Sequence, residues 1–388
     1  MGGNFDRRTP SEHLLVAIVE ALYRNGHTVH IIQKDTGGDL PKLPVPLQKL
    51  GVTTDCIPTK LADKGNFIAR YIVELKYVWR SRKFLKKHRD SGAVFNQSSN
   101  VAGFMAFFVK RIMPRARLTY NVQDIFPENA AYTGSAKGIV YQVLSAEQRY
   151  AYRHADQIIT ISEDMKDLLV EKGADADKTH VLYNWSYQDE PYDPEKMENS
   201  TIRRMFPRDK FNVVYAGNIG VMQNVDVVVD AARLMQEDSV QFHIIGDGVY
   251  KEKLIQKAEG LENIRFWPMQ PSSLAPNIYS MADINVIPLA ENIYRTALPS
   301  KTATCLACQK PIIFCFGEQS KFGTWMNEVA ECPTIGSKDA AALVQKILDI
   351  RSKGQNGRTG SVFVQYFSRS TNSGAYADLI VPKETKQQ

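Results

Sequence analysis

FNVVYAGNIGVMQNVDVVVDAA, residues 211–232, is the stretch on which the architecture turns. A β-branched run, Val213 and Val214 with Tyr215, breaks into Ala216-Gly217-Asn218-Ile219-Gly220 and restarts as an amphipathic segment from Asn224. An apolar strand that turns on glycines into a helix aims backbone N–H groups and the positive helix end at one spot, a seat for a phosphate. Such strand-turn-helix units are common in α/β proteins, so the neighbouring stretches decide what this one means.

Downstream, residues 240–245 read as a strand ending in Gly246-Asp247-Gly248, and residues 263–267 as another followed by Pro268-Met269-Gln270-Pro271. Residues 284–289 and 311–316 continue the series. Upstream, the polar, proline-containing stretch 188–208 reads as a linker. Before it, strand-like runs at 28–33, 93–96, 117–122, 157–161 and 179–182 alternate with helical segments, the sequence form of a doubly wound sheet. A chain of 388 residues is too long for one typical core, so two α/β domains with a cleft between them are expected.

The amino terminus departs from that scheme. Thr9-Pro10-Ser11-Glu12 reads as a capped helix start, Leu14, Leu15, Ile18, Val19 and Leu22 as its apolar face, and Asn25-Gly26 as its stop. A helix followed by a buried strand implies a parallel strand before it. The sequence instead opens at Met1-Gly2-Gly3, inside the first strand-to-helix turn. A late start or a shortened chain is expected, without its first central strand and with a loss on the order of several kcal/mol of apolar packing.

Hydrophobic residues at 44% and charged residues at 23% are ordinary for a globular protein. No apolar run approaches the roughly 20 residues that span a bilayer, and no signal peptide opens the chain, so a cytosolic setting is expected. Five cysteines, with Cys305 and Cys308 in a lone CxxC, suit packed thiols better than disulfides or a zinc site. The net charge of +6 is concentrated in RYIVELKYVWRSRKFLKKHR, residues 70–89, where Tyr71, Ile72, Leu75, Val78, Trp79 and Leu85 fall near helical spacing. With a second basic-apolar segment at 104–117, this reads as helices resting on an anionic membrane surface, the plainer alternative being a solvated helix face. Positive charge interleaved with apolar residues argues against nucleic acid.

Ligands of such sheets sit beyond the carboxyl ends of strands. One such stretch holds Asp124 and Glu128, with Pro127 between them, as candidates for a general base, although on the residues alone Glu128 more readily caps or salt-bridges the following helix.

Taken together, VVYAGNIGVMQNVDVVVDAA, FHIIGDGVYKEKL, IRFWPMQPSSLAPNIYSMADINVIPL and LPSKTATCLACQKPII resemble, in order and spacing, the nucleotide-binding half of a family 4 (GT4) retaining glycosyltransferase of the GT-B fold. NGHTVHII, ITISEDMKDLLVEKG and VLYNW in the first half fit as well. The resemblance implies an α/β GT-B architecture, two Rossmann-like doubly wound domains facing a central cleft. Residues 1–192 would form an acceptor-binding domain, 193–209 a linker and 210–360 a nucleotide-sugar domain, with 361–388 a last helix crossing back and a tail.

Gly217, Asn218 and Gly220 match the family's diphosphate loop, with Gln223 the polar residue after it. Gly246, Asp247 and Gly248 match the adjoining turn, and Trp267, Met269 and Gln270 lie in the stretch that holds the base. Ser300 and Lys301 match positions near the sugar diphosphate, and a lysine there suits a leaving diphosphate. A cation at a helix start is otherwise disfavoured by the helix dipole. Gly2 and Gly3 match an acceptor-side loop near the reaction centre, and Asp124 and Glu128 match acidic positions that handle the acceptor. Gln123 and Asp124 stand where many relatives carry a histidine. Thr296 and Thr304 stand where many carry glutamates, and a threonine cannot act as a carboxylate towards ribose hydroxyls. Gln309 replaces a usual glycine.

The implied activity is retaining transfer of a sugar from a nucleotide sugar, UDP-linked, to a lipid-linked oligosaccharide in bacterial surface polysaccharide synthesis, without a cofactor or bound metal. The implied place is the cytoplasm, peripheral at the inner face of the membrane. A non-catalytic GT-B partner subunit is the alternative.

Overall fold

The computed structural model describes residue 5 and residues 12–60, 62, 66–97, 100–235, 239–354 and 357–382. Gly2, Gly3 and the expected cap at Thr9, Pro10 and Ser11 lie outside these. The strands are β1 (His30–Asp35), β2 (Thr53–Pro58), β3 (Ala93–Asn96), β4 (Arg117–Asn121), β5 (Gln157–Thr160), β6 (Thr179–Val181), β7 (Phe211–Ala216), β8 (Val240–Ile245), β9 (Ile264–Trp267), β10 (Ile284–Pro288), β11 (Ile312–Cys315) and β12 (Thr334–Ile335). Every pairing among them is parallel. The chain divides into two compact units, the first running to Tyr183 and regaining the chain from Arg369, the second spanning Asn184–Ser368.

The second unit has a six-stranded sheet in the order β12-β11-β10-β7-β8-β9. Its central strands read as near-continuous apolar runs because helices cover both faces. Val213 and Tyr215 of β7, Phe242 and Ile244 of β8 and Ile284 and Val286 of β10 share one buried cluster with Val228, Val229 and Ala232 of the Asp226–Leu234 helix. From β7 the chain builds outward through β8 and β9, then returns to lay β10 on the other side of β7. The crevice at the carboxyl ends of β7 and β10 is therefore the topological switch point, where open α/β sheets place their ligands.

In the first unit β3-β4-β5-β6 form one sheet and β1-β2 a separate pair. The Arg369–Ile380 helix packs on the Glu12–Arg24 helix, with Arg369 paired to Glu20 and Asn25 Nδ2 donating to Asp378 Oδ1 at 3.2 Å. Between β1 and β3 lies a cavity of about 710 Å³ lined by His30, Ile32, Val94, Phe95, Tyr77 and Met105 among others. Among the described residues neither β1 nor β3 pairs with a strand across this gap. The Ala102–Ile112 and Gly138–His154 helices cross so closely that a Cβ on Gly103 would lie 2.0 Å from the Glu147 carbonyl oxygen.

Two differences from the sequence reading have simple causes. The stretch 193–209 is not a free linker but part of the second unit. Its Ser200–Met205 helix buries Ile202 and Met205, and Asn277 Nδ2 donates to the Met197 carbonyl at 2.8 Å. β2 and β12 were not foreseen, because TTDCIP mixes polar residues with a proline and β12 has only two residues. Cys305, Cys308, Cys315 and Cys332 are buried free thiols, and burial pushes those of Cys308 and Cys332 up to about 12.

Candidate functional site

β7 leads straight into the glycine loop. Gly217 N donates to the Ile245 carbonyl at 2.9 Å and Ile219 N to the Asp247 carbonyl at 2.8 Å, so this loop and the Gly246-Asp247-Gly248 turn form one layer. Glycine is required in that turn. A Cβ on Gly246 would lie 1.9 Å from the Gly217 carbonyl oxygen, and one on Gly248 would lie 2.2 Å from that of Ile219. Gln223 closes the loop from the other side, its Oε1 accepting from Gly220 N at 3.1 Å and Asn218 Nδ2 at 3.0 Å. Tyr215 lies beneath and donates its hydroxyl to the Asn218 carbonyl.

The helix after this loop begins later than its sequence suggests. Val221–Gln223 forms a 3₁₀ turn, Asn224 takes a left-handed conformation at φ 45°, and the α-helix starts at Asp226. Asp226 is itself a carboxylate in the first turn, bonded to Lys257 at 3.2 Å and Tyr250 at 3.3 Å. The positive helix end is thus met by the chain's own side chain, which leaves the loop backbone and the cation beside it as the candidate anion seat.

That cation is Lys301, at the amino end of the Thr302–Ala307 helix. Its Nζ lies 4.0 Å from the centre of the Tyr215 ring and reaches Gly217 so closely that a Cβ there would be 2.6 Å away. The side chain remains partly accessible, yet the protein around it disfavours the charged form and lowers its pKa to about 8. Ser300 is exposed beside it. Thr304 Oγ1 and Ser186 Oγ are 3.4 Å apart, and Thr296 is buried with its hydroxyl donating to the Ile293 carbonyl at 3.0 Å. Neither threonine replaces a carboxylate chemically. Gln309 occupies φ 57° and donates Nε2 to the Tyr192 carbonyl at 2.8 Å, closing with a side chain the turn where glycine was usual.

Beyond β9 the expected base-holding stretch is split. Met269 is exposed, and Gln270 donates to the Pro268 carbonyl at 3.0 Å. Trp267 turns its indole inward, Nε1 donating to His243 Nδ1 at 3.1 Å while His243 Nε2 meets Asn212 Oδ1 at 2.9 Å. Burial holds the His243 pKa down at about 3, so the ring is neutral and its Nδ1 accepts. Sequence reasoning missed this chain of three residues, which no motif spacing announces.

In the first unit, Asp124 follows β4. The residue is exposed and accepts a long bond from Asn129 Nδ2 at 3.4 Å, while the surrounding protein raises its pKa from the usual carboxylate value. Glu128 is otherwise engaged: its Oε1 is paired to Lys172 and accepts from Tyr141 OH at 2.7 Å. The salt-bridge alternative describes Glu128 best. Gln123 bonds Asn121 Oδ1 at 3.1 Å and Tyr376 OH at 3.3 Å, tying the end of β4 to the last helix.

Two known families match this chain. One described as "Glycosyl transferase 4-like domain" matches residues 13–185, and one described as "Glycosyl transferases group 1" matches residues 210–352. The chain is 23% identical over 377 residues to the probable glycosyltransferase WbjE of Pseudomonas aeruginosa, covering 94% of this chain and 92% of that protein. HepE of Anabaena, solved in complex with UDP-glucose, superposes with a TM-score of 0.72 at 14% identity over 97% of each chain. WaaG, a glycosyltransferase involved in lipopolysaccharide biosynthesis, superposes with a TM-score of 0.68 at 11% identity over 95% of each. At these identities the structural likenesses speak for the fold alone.

Proposed function

The chain belongs to the family 4 glycosyltransferases of the GT-B fold, and we propose that it moves a sugar from a UDP-sugar, with retention, to a lipid-linked saccharide in bacterial surface polysaccharide synthesis. The observation that carries this reading is Lys301 Nζ set against Gly217 at the switch point of the second sheet. WbjE and WaaG support the glycosyltransferase and polysaccharide context, and HepE with UDP-glucose supports the donor class.

In the proposed reaction the acceptor oxygen bonds to the anomeric carbon as the bond from that carbon to the diphosphate oxygen breaks. Charge grows on the departing diphosphate, where Lys301 and the backbone at Gly217–Gly220 stabilise it. Asp124, whose raised pKa suits a proton acceptor, orients the acceptor hydroxyl and takes its proton. Glu128 is left to hold Lys172. No metal is needed in this scheme, because the lysine supplies the positive charge. Met269 and Gln270 flank the base.

A membrane-bound acceptor is supported by the surface of the first unit. On the Phe67–Lys87 helix Trp79 is 59% exposed and carries the Arg82 guanidinium 3.1 Å from its ring centre. Trp79 meets Phe108 edge-on at 6.1 Å, Phe108 meets Phe107 at 5.4 Å, and Phe107 meets Tyr150 at 6.2 Å. Exposed aromatics flanked by cations suit a headgroup layer. Among the described residues no helix is long and apolar enough to cross a membrane.

Calorimetric titration of the purified chain with UDP, GDP and ADP tests the donor assignment. UDP should bind with roughly micromolar affinity, and replacement of Lys301 by alanine should weaken it. The second reading, a non-catalytic partner subunit, is favoured by the inward-bonded Thr296 and by Thr304 paired to Ser186. Binding of no nucleotide would favour it, and turnover by the chain alone would remove it.

A further inference from the structure

We infer that the first unit holds a divalent transition-metal ion of the zinc class on His30 Nε2, Asp55 Oδ2 and His88 Nε2. His30 opens β1, Asp55 lies in β2, and His88 caps the carboxyl end of the Phe67–Lys87 helix. Among the described residues this group alone brings at least three such ligands together, with the donor atoms within 4.8 Å of one another.

Asp55 Oδ2 is 2.9 Å from His30 Nε2 and 3.3 Å from His88 Nε2. A tetrahedral ion with bonds of about 2.0–2.2 Å places its ligand atoms roughly 3.3–3.6 Å apart, close to these separations, and the two stacked rings would splay so that both lone pairs meet on one ion. The side chains of His30, Asp55 and His88 are only 17%, 16% and 27% exposed, which limits competition from water. The two imidazoles stack with centres 3.7 Å apart, and both carry Nε2 to the same carboxylate oxygen. Thr53 Oγ1 lies 2.7 Å from His30 Nδ1. A hydroxyl can accept from Nδ1–H, which leaves Nε2 with its lone pair for the ion and fixes the ring, as partners of metal-binding histidines do.

Lys87 also meets this carboxylate. Its Nζ is 3.3 Å from both oxygens of Asp55, and its side chain is 60% exposed. This carboxylate already draws two imidazoles and a lysine, and the lysine can swing into water when a stronger cation arrives. A fourth position is left for water, as in open three-ligand sites.

The ion also has structural work. A two-stranded sheet is marginal by itself, and β1-β2 pairs with no third strand among the described residues. A metal that joins β1, β2 and the end of a helix would contribute its binding free energy to the folding of that pair.

The test uses the full chain freed of metal by a chelator, then titrated with zinc chloride against a chromophoric competitor. One zinc per chain should bind with roughly micromolar or tighter affinity and raise Tm. Cobalt(II) in place of zinc should give visible absorption bands of low-symmetry coordination. His88→Gln should weaken binding at least about tenfold, while His154→Gln, on an unrelated helix, should leave it unchanged. Lys87→Met should tighten binding several-fold by removing the competing cation, and this variant keeps the test decisive if His88→Gln does not fold. Absence of stoichiometric binding, or binding unaltered in both cluster variants, overturns the assignment. The UDP titration is a separate readout, so either conclusion can fail alone.

Discussion

Lys301 and Tyr215 form one unit: the ammonium stands 4.0 Å from the ring centre, and the ring's hydroxyl bonds the carbonyl of Asn218 in the glycine loop. The residue that supplies the charge is thereby held by the residue that shapes the loop. A cation over an aromatic face gains about 0.5–2 kcal/mol depending on its desolvation.

Lys301→Ala should lower kcat by at least about tenfold, the scale of losing one positioned electrostatic contact to a leaving group. Tyr215→Phe keeps the ring but not the hydroxyl. It should weaken UDP binding by roughly fivefold, equivalent to about 1 kcal/mol for one hydrogen bond. Steady-state kinetics and calorimetry separate the two effects, and unchanged kinetics for Lys301→Ala would remove it from the diphosphate seat.

The lowered pKa of Lys301, about 8, sets a pH dependence. If the proposed diphosphate binds the protonated lysine, affinity should be full below pH 7 and fall as pH rises through 8. Near pH 8.5 binding should take up protons, visible as a calorimetric enthalpy that changes with the buffer's ionisation enthalpy. Lys301→Arg should flatten this dependence, because a guanidinium stays charged.

Asp124 and Glu128 should separate cleanly. Asp124→Asn removes an exposed carboxylate and should cost at least about tenfold in kcat with Tm nearly unchanged. Glu128→Gln leaves the half-buried Lys172 without its counter-charge and should lower stability by about 3 kcal/mol. A denaturation midpoint unmoved by Glu128→Gln would contradict the structural role.

Gly246→Ala should destabilise the second unit by about 1–3 kcal/mol, the cost of forcing atoms into packed space. UDP affinity should fall with it, because the atom displaced is the carbonyl oxygen of Gly217. Thermal melting with and without UDP reads both effects. A variant as stable and as tight-binding as the parent would mean that the two loops do not interlock.

Trp79→Ala together with Arg82→Glu should reduce cosedimentation with vesicles containing anionic lipid several-fold, and more at low than at high salt. Equal cosedimentation would leave this face as ordinary solvated helix.

Much of the fold was legible because buried parallel strands advertise themselves. VQFHII and AVFN were bounded to the residue, since β-branched and aromatic runs flanked by turns have few other uses. Helix starts were less legible: Asn224 takes a left-handed conformation that only its three-dimensional surroundings select. The glycine loop and Lys301 could be read from local pattern and resemblance. What could not be read was pairing at a distance. Trp267 reaches back to His243, Glu128 is engaged by Lys172, and His30, Asp55 and His88 come from three separate elements. Each depends on which strands lie side by side, and local periodicity does not encode that.

The gap between β1 and β3 makes the first unit mechanically unequal to the second. A continuous hydrogen-bonded sheet carries load from strand to strand, whereas across this seam no strand pairing joins the two sides among the described residues, and β1 is held instead by contacts such as the Tyr77 hydroxyl of the Phe67–Lys87 helix on the Ile32 carbonyl at 3.0 Å. Heat or pulling force should part the first unit along that line, releasing β1 and β2 as a raft while β3 to β6 stay joined. The six-stranded sheet of the second unit is continuous, so that unit should outlast the first.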